Sequence, residues 1–151
     1  MAVTIRGMTP LLYVFDMATS LRFYCELLGF EVIRCSDESQ MPNVDWVWLR
    51  LGGTEIMLNT AYEQAERPRV ADAQRRASHQ DTVLFFACPE VDRTAAYLRE
   101  RGVGVETPRI ASYGMKQLYV ADPDGYALCF QWPADFSSAG DDYGENVALK
   151  R

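Results

Sequence analysis

The sequence predicts a mixed α+β fold that consists of two βαβββ modules. Three observations predict this fold. The same order of signals, a strand, an amphipathic helix closed by a glycine, and further strands, occurs twice along the 151 residues. In each half, two strand-like segments flank a turn sequence. The composition, with 48% hydrophobic and 24% charged residues, is typical of a folded globular domain.

The first half begins with a strand and a helix. The apolar segment 11–15 predicts the strand, residues 16–29 predict the helix, and residues 30–32 predict a second strand. Asp16 suits the N-cap position, and Gly29 suits the left-handed position that follows a helix. The apolar positions of this helix fall on one face, and they are Met17, Leu21, Tyr24, Cys25 and Leu28.

A hairpin completes the first half. Residues 44–51 are rich in aromatic and β-branched side chains, Gly52-Gly53 follows, and residues 54–59 resume the apolar pattern. A two-residue loop fixes the register of the two strands, and directly opposed residues share a face of the sheet. The predicted opposed pairs are Leu51 with Thr54, Trp48 with Met57, and Trp46 with Asn59.

The second half repeats this order. Segment 83–87 predicts a strand, residues 90–101 predict a helix, and residues 103–105 predict a strand after Gly102. Segments on either side of Asp122-Pro123-Asp124-Gly125 predict a second hairpin, because Pro presets the turn and Gly supplies its left-handed position. A three-residue loop in this hairpin predicts that Tyr119 opposes Cys129 and that Gln117 opposes Gln131.

These elements are expected to form one domain over residues 8–132. The linker within it is polar and contains a short predicted helix at 70–76. Residues 133–151 predict a tail rich in Ser, Gly and Asp, in which Phe136 and Tyr143 are the candidate anchors. The predicted boundaries are 8–60 for module one, 61–80 for the linker and 81–132 for module two.

Charge and composition exclude several classes of function. A net charge of −6 repels phosphate backbones, so we expect no nucleic-acid partner. No apolar stretch approaches the roughly 20 residues of a membrane helix, and residues 1–6 lack the apolar core of a secretory signal. We therefore expect no membrane partner and a cytoplasmic protein with reduced cysteines. A single histidine, His79, excludes a three-His zinc site and a two-His facial triad.

Two segments carry a resemblance to a known family. They are Asp-Met-Ala-Thr-Ser-Leu-Arg-Phe-Tyr-Cys-Glu-Leu-Leu-Gly-Phe at 16–30 and Tyr-Val-Ala-Asp-Pro-Asp-Gly-Tyr-Ala-Leu-Cys-Phe at 119–130. Together with the internal repeat, they resemble the glyoxalase/bleomycin-resistance/extradiol-dioxygenase superfamily, the vicinal oxygen chelate proteins, over about residues 8–132. The resemblance implies that family's fold, in which two βαβββ modules form a curved mixed sheet around a cavity. It also implies a homodimer with cavities between paired modules.

The metal-binding positions of the family are altered in this chain. In metal-dependent members, four inward positions carry His, Gln or Glu. The resemblance places Thr9, Met57, Val83 and Cys129 at these positions, whereas hard divalent cations need oxygen and nitrogen donors. We therefore expect no metal, no cofactor and no catalytic residue. Glu55 is the carboxylate nearest to facing inward, and its place beside the turn predicts that it is exposed to solvent.

The hairpin registers predict which side chains line the cavity. Alternation along the strands sends one set of apolar residues against the helices and the other set into the concave face. This second set combines aromatic walls with a few polar groups, which is typical of a site for a flat apolar or cationic molecule. The predicted ligand-binding residues are Leu11, Tyr13, Trp46, Trp48, Met57, Asn59, Phe85, Gln117, Tyr119, Cys129 and Gln131.

Three functions remain open at this level. The favoured one is a metal-free protein that sequesters an aromatic or cationic small molecule, as bleomycin-resistance-like members do in antibiotic resistance. The alternative is an enzyme of the same fold, a lyase, isomerase or ring-cleaving dioxygenase with or without a metal. In the third, the pocket is vestigial and the aromatic side chains fill the core, an arrangement that a cavity of a few hundred Å³ would contradict.

Overall fold

The structure, a computed structural model, describes residues 2–134 and has a mixed α+β fold. The chain divides into two compact units, with the boundary between Arg76 and Ala77. Among the described residues, no helix is long and apolar enough to cross a membrane. The strands are β1 Leu11–Val14, β2 Glu31–Cys35, β3 Trp46–Leu51, β4 Thr54–Thr60, β5 Val83–Ala87, β6 Arg109–Ile110, β7 Met115–Ala121 and β8 Ala127–Pro133. The helices are α1 Met17–Leu21, α2 Ala73–Ser78 and α3 Val91–Glu100.

Each unit contains one βαβββ module with its own four-stranded mixed sheet. The strand order is β1-β4-β3-β2 in the first unit and β5-β8-β7-β6 in the second. The first strand of each module pairs in parallel with the last, and the remaining pairs are antiparallel. The predicted fold class is therefore confirmed, as two mixed sheets, and residues 2–134 contain no closed barrel.

Both hairpins have the predicted register. Leu51 opposes Thr54 across the Gly52-Gly53 loop, and Gly52 has the left-handed φ of +55° that this tight turn requires. In the second hairpin, Asp122 donates its backbone N–H to the carbonyl of Tyr126 at 2.9 Å, which leaves a three-residue loop. The Asp122 carboxylate closes the loop by accepting backbone N–H groups of the same turn.

One face of each sheet is buried in the core of its own module. In module one this inner face consists of Val47, Leu49, Ile56 and Leu58, none more than 1% exposed. In module two it consists of Leu118, Val120, Leu128 and Phe130, none more than 8% exposed. Helix α1 contacts β4, and helix α3 contacts β7 and β8. The inner faces are the ones that alternation predicted, so the other face of each sheet is available for function.

The first helix differs from its prediction in one turn. After α1 the chain continues as a π-helix from Arg22 to Leu27, in which the Leu28 N–H donates to the carbonyl of Phe23. Tyr24 is fully buried there, with its ring edge-on to those of Phe23 and Phe30. Gly29 then ends the helical segment with a φ of +88°, as the sequence indicated.

The strand predicted at residues 103–105 is not formed. The Val103 N–H bonds back to the carbonyl of Leu98, and the Arg99 guanidinium donates to the carbonyls of Val105 and Glu106 at 3.4 and 2.9 Å. These backbone groups therefore bond to helix α3 and are not available for strand pairing. The strand forms later, at Arg109–Ile110, where it pairs with β7.

The segment between the modules contains α2 and a single 3-10 turn, His79–Asp81. The short helix begins and ends later than the prediction of 70–76. His79 Nδ1 is 2.8 Å from the carbonyl oxygen of Asp124, and its ring stacks on Tyr126 with centroids 4.0 Å apart. His79 thus packs on the second hairpin. The predicted anchors of the tail, Phe136 and Tyr143, lie outside the described residues.

Candidate functional site

The outer face of the module-one sheet, called the module-one face, carries six of the predicted site residues in two rows. The first row runs across the sheet through Leu11, Met57 and Trp48, and the second runs through Tyr13, Asn59 and Trp46. Leu11 is 41% exposed and Tyr13 is 50% exposed, whereas the other four are half-buried. The strand pairing therefore brings all six side chains of this module onto one apolar, mainly aromatic surface.

The two tryptophans of this face are held at a defined angle. Their ring centroids are 6.5 Å apart, with the planes inclined by 60°. Trp48 Nε1 donates to the carboxylate of Glu55 at 3.1 Å, and the Arg50 guanidinium donates to the other carboxylate oxygen at 2.9 and 2.7 Å. The indole of Trp48 is thereby oriented by an ion pair that lies beside it.

Glu55 is a correction to the sequence prediction. It was expected to be exposed, but its side chain is only 27% exposed because Arg50 and Trp48 hold it on the sheet. Both carboxylate oxygens have partners, and one partner is a fixed cation. Because both oxygens already accept hydrogen bonds, Glu55 is a weak candidate for a general base and is a fixed negative group beside the tryptophans.

The outer face of the module-two sheet, called the module-two face, holds the remaining five predicted residues. Phe85, Cys129 and Tyr119 form one row, and Gln131 and Gln117 form part of the next. Phe85 is 53% exposed and Tyr119 is 50% exposed, and their rings meet edge-to-face with centroids 6.5 Å apart. This face is therefore part aromatic and part amide.

Cys129 lies on the module-two face but is fully buried beneath its neighbours. Burial raises the pKa of the Cys129 thiol, and a hydrogen bond with Tyr119 lowers it by less. Burial and the bond to Cys129 likewise raise the pKa of the Tyr119 hydroxyl. Both groups therefore remain protonated at neutral pH.

A hydrogen-bonded amide pair lies in the second row of this face. Gln117 Nε2 donates to Gln131 Oε1 at 2.8 Å and to the hydroxyl of Tyr113 at 2.7 Å. Tyr113 is 67% exposed and belongs to the loop before β7. The sequence singled out neither Tyr113 nor Glu55 as a ligand-binding residue. A tyrosine beside Gly114 was the only local signal for the first, and opposition to Arg50 was the only one for the second.

An open cleft of about 590 Å³ lies along β7 and the segment that precedes it. This volume is within the range of small-molecule sites, roughly 300–1,000 Å³. Two predicted site residues, Gln117 and Tyr119, line it together with Arg109 and Ile110. The other three predicted residues of the module-two face, Phe85, Cys129 and Gln131, do not line this cleft.

The positions that hold the metal in metal-dependent relatives do not fit a hard divalent cation. Met57 offers a thioether and Val83 offers no donor. Cys129 is a buried thiol whose pKa is raised, so it stays protonated. Within residues 2–134, no three His, Cys, Asp or Glu side chains come together as a possible metal site. The residues present therefore disagree with the metal site of the resemblance.

Comparison with known proteins gives a family and a set of similar folds. The model of the Glyoxalase/Bleomycin resistance protein/Dioxygenase superfamily matches residues 7–130. The uncharacterized protein YaeR of Escherichia coli (strain K12) is 29% identical over 122 residues, which cover 75% of this chain and 84% of YaeR.

Two solved structures illustrate the range of similar proteins. TnmS3, an antibiotic binding protein from Streptomyces sp. CB03234, superposes with a TM-score of 0.62 at 22% identity, over 87% of this chain and 99% of TnmS3. A lactoylglutathione lyase from Agrobacterium tumefaciens superposes with a TM-score of 0.58 at 18% identity, over 83% of this chain and 92% of the lyase. At these identities the likeness shows the shared fold alone.

Proposed function

Given that the chain belongs to the Glyoxalase/Bleomycin resistance protein/Dioxygenase superfamily, we propose that it sequesters an aromatic or cationic small molecule without chemical change. The observation that carries this proposal is the module-one face. Two half-buried tryptophans lie there beside an exposed leucine and an exposed tyrosine. The similar protein TnmS3 is an antibiotic binding protein, and this supports an antibiotic as the class of ligand.

The proposed binding relies on stacking and on removal of apolar surface from water. A planar ring placed on Trp46 or Trp48 gains offset or edge contacts worth about 0.5–1.5 kcal/mol beyond the area it buries. A positive charge over an indole contributes about 0.5–2 kcal/mol more. The Glu55 carboxylate lies beside Trp48, and the net charge of −6 attracts cations over longer distances.

Binding without bond making is supported by the chemistry of the two faces. A Lewis acid would need ligands that Met57, Val83 and Cys129 do not supply. A general base would need a free carboxylate or imidazole, whereas Glu55 is paired with Arg50 and His79 packs on Tyr126. The residues that remain on the faces are suited to recognition.

We also propose that the protein is a cytoplasmic homodimer. Four apolar side chains on the outer faces are 41–53% exposed in one chain, and they are Leu11, Tyr13, Phe85 and Tyr119. A second copy would cover part of these faces and enclose a ligand between modules. Sedimentation equilibrium checks this: a mass near that of one chain, 17.1 kDa, would contradict the dimer.

Tryptophan fluorescence tests the ligand proposal directly. The chain contains three tryptophans, and Trp132 is 8% exposed on the inner side of its sheet. We expect bleomycin, a quinoxaline antibiotic or a comparable planar cationic drug to quench the emission saturably. The Trp46→Phe/Trp48→Phe double variant should lose the response, and the matched control Trp132→Phe should keep it.

The same panel should be followed by isothermal titration calorimetry, which does not depend on the position of the tryptophans. Saturable heat with at least one planar compound is the expected result. A panel that gives neither heat nor quenching would overturn the proposal, and so would turnover of a bound compound.

A further inference from the structure

The module-two face carries a set of hydrogen-bonded polar groups, Tyr113, Gln117 and Gln131, that have no role in binding a ligand by stacking alone. We propose that Tyr113 and Gln117 recognise a planar neutral lactam or carboxamide, a ring in which a carbonyl and an N–H lie side by side, bound in the cleft along β7. This inference rests on the proposed function, because it names the class of ligand for the same protein. It concerns module two, whereas the evidence for stacking came from module one.

The Gln117 amide nitrogen lies within hydrogen-bond distance of two oxygen acceptors. Nε2 carries two protons, and the structure assigns one to Gln131 Oε1 at 2.8 Å and the other to the Tyr113 hydroxyl at 2.7 Å. Both donors of the amide are therefore used. Among the described residues no donor reaches Gln117 Oε1, so this oxygen is the acceptor that remains for a ligand N–H.

Tyr113 supplies the complementary donor. Its hydroxyl oxygen accepts from Gln117, which leaves the hydroxyl proton to donate elsewhere. The side chain is 67% exposed, so this proton reaches solvent or a ligand. A donor and an acceptor thus lie on two groups that are bonded to each other. Their complement is a neighbouring carbonyl and N–H, the edge of a lactam or a carboxamide.

The surroundings of these polar groups suit a flat and uncharged molecule. Gln117 and Tyr119 both line the cleft of about 590 Å³, and half of the Tyr119 side chain is exposed for stacking. The Arg109 guanidinium in the cleft wall is paired with Glu106 at 3.1 Å. The wall therefore carries no unbalanced charge that would select an anion.

Module one does not repeat this set of polar groups. Trp46 occupies the position of Gln117, and Asn59 occupies the position of Gln131. Asn59 Nδ2 donates to the backbone carbonyl of Thr60 at 3.0 Å, and within residues 2–134 this amide makes no bond to the neighbouring strand. Among the described residues, the pair of hydrogen-bonding groups that would recognise a lactam is therefore found on the module-two face and not on the module-one face. An experiment can test the two faces separately.

Two probes of the same shape test the inference. 2-Quinolinone presents a carbonyl beside an N–H, and coumarin replaces that N–H by a ring oxygen. We expect 2-quinolinone to bind about tenfold more tightly than coumarin by calorimetry, because coumarin opposes Gln117 Oε1 with a second acceptor. Quinoline serves as the flat control probe that lacks both the carbonyl and the N–H.

Conservative variants locate the effect. Tyr113→Phe removes one hydroxyl from an exposed side chain and should weaken 2-quinolinone about five- to tenfold while leaving quinoline unchanged. Tyr97→Phe, which removes a hydroxyl from helix α3 and keeps the ring that stacks with Arg101, is the matched control and should change neither. Circular dichroism should show both variants folded like the parent chain.

The possible failures are distinguishable. Equal affinity for 2-quinolinone and coumarin, or an unchanged affinity in Tyr113→Phe, overturns the proposal that Tyr113 and Gln117 recognise a lactam. If drugs still quench Trp46 and Trp48, the proposed function stands. Absence of binding by 2-quinolinone, coumarin and quinoline also overturns the proposal of lactam recognition. Absence of any response to the drug panel overturns the proposed function itself.

Discussion

The two modules share a backbone plan but differ in the chemistry of their outer faces. Counting along the paired strands, Trp48 corresponds to Tyr119, Met57 to Cys129, and Trp46 to Gln117. The inner positions keep the same character, since Ile56 corresponds to Leu128 and both are buried. Packing against a helix restricts the inner face to apolar residues of suitable size. The outer face is free of that restriction, and there the modules have diverged into an indole surface and an amide surface.

The helical segments of the two modules differ in length by one residue. The interval from Leu11 to Gly29 is one residue longer than the equivalent interval from Phe85 to Gly102. Module one accommodates this residue in the π-helix Arg22–Leu27, whereas α3 is a regular α-helix. The strands before and after therefore keep equivalent positions. A difference in the connecting helix has left the register of the sheet unchanged.

The largest expected effect tests whether the inner faces are equivalent. Ile56→Ala and Leu128→Ala should each lower the free energy of unfolding by about 2–5 kcal/mol, because both side chains are at most 1% exposed and leave a cavity. Leu11→Ala on the outer face is the control and should cost less than about 1 kcal/mol, since 41% of that side chain is already exposed. Urea unfolding measures all three. A small cost at only one of the inner positions would break the equivalence.

The next effect concerns two thiols, the half-buried Cys25 in the π-helix of module one and the buried Cys129 in the sheet of module two. Burial, followed by the charge of Glu26, raises the pKa of Cys25 to about 11, and burial raises the pKa of Cys129. A pKa higher in the folded than in the unfolded chain stabilises the protein below about pH 9, and this contribution is lost as the pH rises through the folded value.

Alkylation rates measure this effect. At pH 8 the thiolate population of Cys25 should be roughly a hundredfold lower than in the unfolded chain, so iodoacetamide should modify it about a hundredfold more slowly. Peptide mass spectrometry of native and guanidinium-unfolded protein gives both rates. Rapid native alkylation of Cys25 or Cys129 would indicate a reactive site instead of a packed thiol.

A smaller effect separates the starts of the two helices. Burial alone would raise the pKa of Asp16, but hydrogen bonds from Thr19 at 2.5 Å and Arg67 at 2.6 Å outweigh it and lower the pKa. Glu90, before α3, has Arg93 as its one ion-pair partner among the described residues, and both of these side chains are largely exposed. Asp16→Asn should therefore lower the free energy of unfolding by about 1 kcal/mol, and Glu90→Gln by less than about 0.5 kcal/mol.

The pH dependence gives the sign of the Asp16 effect. A carboxylate whose pKa is lowered in the folded state stabilises the protein above the unfolded value, near 4, and this stabilisation disappears as the pH falls through the folded value. The parent and Asp16→Asn curves of unfolding free energy should therefore converge below about pH 4. Curves that stay parallel down to pH 2 would contradict the pairing with Thr19 and Arg67.

The sequence predicted the parts of this molecule that follow from alternation and turn chemistry. Gly52-Gly53 determined the register that places Trp46 and Trp48 on one face. Sequence patterns did not predict that Arg99 donates to the backbone carbonyls of residues 105–106, so that β6 begins only at Arg109. This contact depends on how far a long side chain reaches. For the same reason these patterns did not predict the bonds of Glu55 with Trp48 or of Gln117 with Tyr113.

The smallest expected effect comes from a substitution that makes the module-one face more similar to the module-two face. Glu55 corresponds to Ala127 in module two, so Glu55→Ala removes a feature that only module one has. Arg50 is 52% exposed and Glu55 is 27% exposed, so loss of this ion pair should lower the free energy of unfolding by less than about 1 kcal/mol. Glu55→Gln is the matched control, because its amide oxygen still accepts from Trp48 Nε1 while the charge is gone. If the carboxylate contributes to binding of cations, both variants should weaken a cationic planar drug about threefold to tenfold and leave a neutral one unchanged. Equal weakening of both drugs, in Glu55→Ala alone, would show that the orientation of the indole matters and that its neighbouring charge does not.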